Sequence, residues 1–298
     1  MREIDYFELG ATLYIPIMHK NLEAILSQKK YPFLKSVVIC LEDSTALCDV
    51  EQGMKILEAL LKDFKQSALK VFIRARNIEN LRQILCFEYI NKVDGFALSK
   101  FDTNNITQYL SIFIKANEFY LMPILETKDV FSSRKLHDIL TELEPFKERI
   151  LVIRIGGEDI LSQLHSIRDC SKTMYEIMPL YLVVSSIINT FMPNGFYVSS
   201  VVHACFQNLE TLDRELLSDK EHQLFNKTSI HPKQIERIQA SYCVNQEELT
   251  IANKLLHEED AIFAHGGRMY EKTTHSNWAK NIVKRYKNFG LSEDNNAQ

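Results

Sequence analysis

Short runs of apolar, often β-branched residues alternate along this chain with longer segments in which apolar positions recur every three or four residues. The first kind reads as buried strands, the second as amphipathic helices. Strands are expected at 11–17, 36–41, 71–73, 95–98, 120–125, 151–155, 196–202 and 228–230. Helices are expected between them, around 21–29, 50–64, 78–89, 130–143, 175–191 and 209–224, and after the last strand at about 246–263 and 277–286. In 50–64 the helical period is explicit, with Met54, Ile56, Leu57, Leu60 and Leu61 apolar. Strands that are apolar throughout belong in a parallel sheet covered by helices. About eight such β–α units predict an α/β fold, a closed (β/α)8 TIM barrel with a helical C-terminal extension. An open doubly wound sheet would want a glycine-rich loop after the first strand, and Tyr14 to His19 supplies none. The barrel is assigned to 1–245, the extension to 246–290, and a polar, disordered tail to 291–298.

The ends of the apolar runs carry the candidate chemistry. The run 150–155 has one basic interruption, breaks at Gly156-Gly157, and delivers Glu158 and Asp159 at once. The run 119–125 leads to Glu126 in the same way. The other strands end at Glu42-Asp43, Arg74, Lys100 and His231. A barrel places its chemistry at these carboxyl ends. A charged residue can also simply mark re-entry into solvent, but so many on one rim point to a site. Glu126 and Asp159 are candidate ligands of a divalent ion, since Mg²⁺ takes one or two carboxylates and keeps positions for waters and substrate oxygens. Cys and His spacing for Zn²⁺ is absent. Gly157 and Glu158, on the glycine turn, are candidate substrate-binding positions. Arg74 suits bidentate capture of a substrate carboxylate. Lys100 either does similar work as a point charge or faces outward. Glu42 and Asp43 are supporting acids. His231 is either a general base or, more simply, part of the start of a helix that Pro232 begins. Gly266-Gly267 reads as a helix C-cap or hinge.

Composition narrows the function classes. The chain has 298 residues, 46% hydrophobic and 25% charged, enough for a full core. A net charge of −4 gives no global attraction for nucleic acid or an anionic membrane. No apolar run approaches the length of a membrane span, and the amino terminus has no signal-peptide pattern, so the cytoplasm is expected. The six cysteines lie far apart with no C-x-x-C pair, which suggests reduced thiols. Phosphate-binding and dinucleotide loops are missing.

In their order, these segments resemble the HpcH/HpaI aldolase and citrate lyase β-subunit family over roughly 9–287. The strand ending VVICLEDS (37–44) resembles D-L-E-D, VFIRARN (71–77) V-R-x-N, and DGFALSK (94–100) D-G-x-x-L-P-K. PILET (123–127) resembles the strand ending in E-T, IGGEDI (155–160) G-x-x-D-L, and SIHPKQI (229–235) I-H-P-x-Q-I. GRMYEK (267–272) is similar to a late G-x-M-I-D segment. The resemblance implies a barrel that assembles as a homo-oligomer of three or six, with Mg²⁺ on Glu126 and Asp159. It implies that Arg74 grips the carboxylate of a small 2-oxo acid or acyl substrate. It also implies that Glu271, on the extension, reaches a neighbouring subunit's site for proton transfer. Coenzyme A thioesters are common substrates there. Departures are Cys40 for an aspartate, Ser99 for a proline, Glu271 for an aspartate, and Val50 and Met54 where basic residues are expected. The pattern is most similar to a divergent carbon–carbon bond lyase branch of tellurium-resistance and stress-linked biosynthetic clusters. The alternative is a catalytically diverged barrel that serves such a cluster as a binding or assembly component.

Overall fold

The computed structural model describes residues 2–292. Seven parallel strands form one curled sheet: β1 (Ala11–Pro16), β2 (Ser36–Cys40), β3 (Lys70–Arg74), β4 (Gly95–Leu98), β5 (Tyr120–Leu125), β6 (Arg154–Ile155) and β7 (Lys227–Ser229). Their order is β6-β5-β4-β3-β2-β1-β7, so every early strand lies beside its sequence neighbour. The ring closes through the stretch expected as a strand at 196–202. Ile153 pairs in parallel with Val198, and Ser200 with Lys227. The Ile153 N–H donates to Tyr197 O at 2.8 Å and the Ser200 N–H to Asn226 O at 2.8 Å. This stretch is thus the eighth stave of a TIM barrel, held by isolated bridges rather than a continuous ladder.

Helices cover the outside: α1 (Leu22–Leu26), α2 (Val50–Asp63), α3 (Ile78–Ile84), α4 (Ile106–Lys115), α5 (Ser133–Leu143), α6 (Gly157–Gln163), α7 (Met178–Phe191), α8 (Leu209–Glu221) and α9 (Pro232–Ser241). Local chemistry starts several of them. Asn77, Ser132 and Asn208 each accept the backbone N–H three residues on, at the heads of α3, α5 and α8. Helix α4 lies in a stretch where periodicity had assigned none. Its stripe of Ile106, Tyr109, Leu110 and Phe113 is buried.

The outward side of the last stave is charged rather than apolar. On β7, Thr228 reaches Arg154 inside the barrel while Lys227 turns to the helical layer, as strand alternation requires. The buried Lys227 ammonium donates to Ser200 Oγ (2.8 Å), Glu215 Oε1 (2.7 Å) and Asp219 Oδ2 (3.0 Å), the two acids lying on α8. Arg168 pairs with Glu215 from the other side, and Tyr175 donates to Asp219 at 2.7 Å. Next to this cluster Cys170 and Cys205 form a disulfide. That corrects the reading of all six cysteines as separate thiols: the two are 35 residues apart in sequence, but the loops after α6 and after the 198–200 stave meet. Cys40, Cys48, Cys86 and Cys243 remain as thiols outside the disulfide.

The chain divides into two compact units, Met1–Glu236 and Arg237–Gln298. The second contains α10 (Gln246–His257), an antiparallel hairpin of β8 (Ile262–His265) and β9 (Arg268–Glu271), and α11 (Lys272–Phe289). Helix α10 opens with a capping box between Asn245 and Glu248. Its core gathers Val244, Leu249, Ala252, Leu255, Ala279 and Ile282. The hairpin replaces two expectations, helix as far as 263 and a C-cap at Gly266-Gly267. The helix stops at His257 before Glu258, Glu259 and Asp260, and the two glycines, at φ +56° and +78°, form the two-residue turn between paired His265 and Arg268. Positive φ at both central positions is what such a turn requires. The tail expected from 291 begins as ordered chain, since Leu291 bridges to Val244; residues 293–298 lie outside the described residues. Among the described residues no helix is long and apolar enough to cross a membrane.

Candidate active site

A cavity of about 420 Å³ opens at the carboxyl ends of the strands. Its wall includes Arg74 from β3, Glu126 after β5, Arg154 on β6, and Gly157, Glu158 and Asp159 on the first turn of α6. Asp43 also lines it, while Glu42, Lys100 and His231 do not.

The acids at 126 and 159 come together at the cavity, close enough for each carboxyl to act on the other's ionisation. Glu126 is only 4% exposed, and burial together with the neighbouring Asp159 pushes its pKa from 4.5 up to about 8. Burial, with Asp43 nearby, raises Asp159 as well. Two acids crowded out of water share a proton instead of both ionising. Position 156 makes the approach possible. A Cβ there would fall 2.1 Å from Glu126 Oε2, so only glycine leaves the carboxyl its place. Glu126 Oε1 is fixed by the Lys100 backbone N–H at 2.7 Å. Lys100 adopts φ +51°, which aims that N–H, and Asn105 Nδ2 holds the Lys100 carbonyl at 2.7 Å.

The remaining strand-end charges form a second group. Glu42, 3% exposed, takes Lys100 Nζ on Oε1 at 2.7 Å and lies 3.1 Å from Arg74 Nη1 through Oε2. Burial raises the Glu42 carboxyl. Arg74 also donates Nε and Nη2 to Cys40 Sγ, at 3.2 and 3.1 Å. Its guanidinium is therefore aimed by β2, with one side at the cavity. Lys100 Nζ is half-exposed and spans Glu42 and Asp43. Glu158 faces the cavity and is raised by burial. His231 accepts the Lys233 N–H on Nδ1 (3.2 Å) and stacks on Phe206. Glu271 belongs to the second unit, where its carboxylate accepts from Thr274 Oγ1 at 2.9 Å.

Sequence reading passed over two residues of this cavity, Tyr14 and Arg154. The Tyr14 ring lies 5.4 Å from the Arg74 guanidinium carbon and 5.5 Å from that of Arg154. Arg154 is the single basic interruption in the apolar run before the glycines, and that interruption was its signal.

Among the described residues no group of three or more His, Cys, Asp and Glu is arranged to hold a metal ion. The donor set that the cavity offers is the carboxyl pair, all oxygen and capable of releasing its proton. Such a set fits a hard divalent cation that keeps most of its coordination for water and substrate.

Solved structures carry the same fold. A citrate lyase from Burkholderia xenovorans is 15% identical, with a TM-score of 0.74 over 96% of this chain and 94% of its own. CitE from Mycobacterium tuberculosis, in complex with magnesium, acetoacetate and coenzyme A, is 18% identical with a TM-score of 0.67, covering 93% and 98%. A citrate lyase β subunit from the same organism, complexed with oxaloacetate and magnesium, is 16% identical with a TM-score of 0.57, covering 79% and 98%. No curated protein sequence matches the chain. Residues 3–291 match the family model described as a carbon–carbon bond lyase of the TIM-barrel fold. A closed ring of parallel staves, acids converging at its mouth, and that nearly full-length match lead to one conclusion: the chain belongs to the carbon–carbon bond lyase family of the TIM-barrel fold.

Proposed function

We propose that this protein is a Mg²⁺-dependent lyase or synthase of aldol or Claisen type, acting on a small 2-oxo or 2-hydroxy acid. The observation that carries the reading is the proton-sharing pair Glu126 and Asp159 inside a cavity that also presents Arg74. Both acids would hold the ion, which when bound supplies positive charge to the oxygens of a chelating substrate. The solved structures with magnesium, acetoacetate or oxaloacetate support the choice of ion and of substrate class.

This chain's own side chains then have distinct tasks. Arg74, aimed by Glu42 and Cys40, binds a substrate carboxylate or steadies negative charge that gathers on an enolate oxygen. The Lys100 N–H and the bare Gly156 keep Glu126 in place. Glu158, protonated to higher pH than an exposed glutamate, is placed to bind or to hold a proton at the cavity wall. Glu271 is proposed as the proton-transfer group that one subunit lends to another in a homo-oligomer. Val50 and Met54 at the positions where basic residues are expected favour the free acid over its coenzyme A thioester. A cytoplasmic location is part of the same reading.

Magnesium titration by calorimetry, with and without pyruvate, tests this. Glu126→Ala and Asp159→Ala should each abolish the heat of binding while the native chain gives it. No heat from the native chain in either condition would favour the binding or assembly role instead.

A further inference from the structure

Below the carboxyl pair, the interior of the barrel holds a second cation. Arg154 is paired in register with Ile124, two residues before Glu126 on the same face of β5. Its Cα therefore sits about 6–7 Å further back along the strand direction than Glu126. Arg154 Nη2 donates to Thr12 Oγ1 at 2.8 Å, Nη1 to Thr228 Oγ1 at 3.1 Å, and Nε to Met122 Sδ at 3.4 Å. These contacts come from β1, β7 and β5, so three staves fix the plane of one guanidinium. The side chain is 1% exposed and still lines the cavity. Placing a guanidinium there carries a desolvation cost that an apolar filler would not.

The geometry points to an anion subsite at the floor of this cavity: Arg154, oriented by Thr12 and Thr228 and backed by the Tyr14 ring, binds the distal carboxylate of a diacid substrate. The substrate class is thereby narrowed to short 2-oxo or 2-hydroxy dicarboxylates. The first carboxylate and its neighbouring oxygen stay at the mouth, beside Glu126, Asp159 and Arg74, and the chain of the substrate runs downward. Only this placement of the first carboxylate rests on the lyase reading; the floor contact stands on the position of Arg154. A terminal carboxylate gives the floor cation a partner while the first stays at the mouth, and a terminal methyl gives it none. Tyr14, between the two guanidiniums, is the wall against which the connecting carbons lie.

Malate and 2-hydroxybutyrate separate these ideas, because both are four-carbon 2-hydroxy acids that differ in a terminal carboxylate or methyl. Calorimetry on the native chain with Mg²⁺ should find malate tighter by about ten- to a hundredfold, the worth of hydrogen bonds to a charged group. In Arg154→Met the preference should collapse to near unity, with 2-hydroxybutyrate affinity and the magnesium heat unchanged. Thr228→Val, which keeps the cation and loosens its plane, should narrow the preference and covers the case in which Arg154→Met does not fold. Equal affinities in the native chain, no binding of either acid, or an undiminished preference in Arg154→Met or, where that variant does not fold, in Thr228→Val each overturn the subsite. A native chain that prefers malate but gives no magnesium heat would instead overturn the lyase reading and leave the floor contact standing.

Discussion

Glu126 is the residue whose ionisation ties the site to pH. Its carboxyl releases the proton near 8 in the folded chain against 4.5 for an exposed glutamate, because burial and Asp159 penalise the charge. Between those values the native state holds a proton that the unfolded state has given up, so this residue's contribution to stability falls as pH rises from 4.5 toward 8. A divalent ion held there, as proposed, would have to displace the same proton, so its affinity would rise over that window. Melting temperatures across pH, in chelator and in Mg²⁺, should diverge above neutrality, and Glu126→Gln should remove the divergence. Gly156→Ala is the companion test. The added methyl meets Glu126 Oε2 at 2.1 Å and its Cβ at 2.5 Å, so the side chain must leave its place. The variant should lose magnesium binding in calorimetry and about 1–3 kcal/mol of stability in urea unfolding.

At the scale of elements, what was legible in the sequence followed from how strongly one neighbour dictates the next. Strands β1 to β5 announce themselves as apolar runs whose ends name Arg74 and Glu126 as candidates before any coordinates, and the glycine turn after β6 names Asp159. Tyr14 left no signal as a cavity residue and Arg154 only its basic interruption of an apolar run, because their place in the cavity comes from staves remote in sequence closing on them. Helix α4 was missed although its buried stripe is regular, and the disulfide was missed because a pairing across 35 residues leaves no spacing signal. In the hairpin β8–β9 the error was one of period. Ile262, Phe263 and Ala264 continue an apolar trend that suits helix or strand, and only the glycine pair decides. Gly267 sits at φ +78° with nothing within 4 Å of an added Cβ, so backbone strain alone opposes a side chain. Gly267→Val should therefore cost about 1–2 kcal/mol. Faster amide exchange confined to 262–271 would show it, and a spread into α10 would argue against a local turn effect.

For the molecule as a whole, barrel closure involves buried charge as well as apolar packing. The helical layer over the last stave is tied to it through Lys227, Glu215 and Asp219, all fully buried. Lys227 and the other nearby cations hold Glu215 ionised far below the usual glutamate range, against the opposing effect of burial. Lys227→Met would leave Asp219 without a cation and Glu215 with Arg168 alone, both away from water. It should lower stability by about 3–5 kcal/mol, measured by urea denaturation. An apolar layer in the same place would have tolerated the change.

The three residues of β7 also carry an assembly instruction. Because neighbours on a strand point to opposite faces, a shift of one position would put the ammonium inside the barrel and a hydroxyl opposite two carboxylates that have lost their shared cation. Misregistered closure is thus disfavoured electrostatically, and the chain has one correct way to zip its last seam.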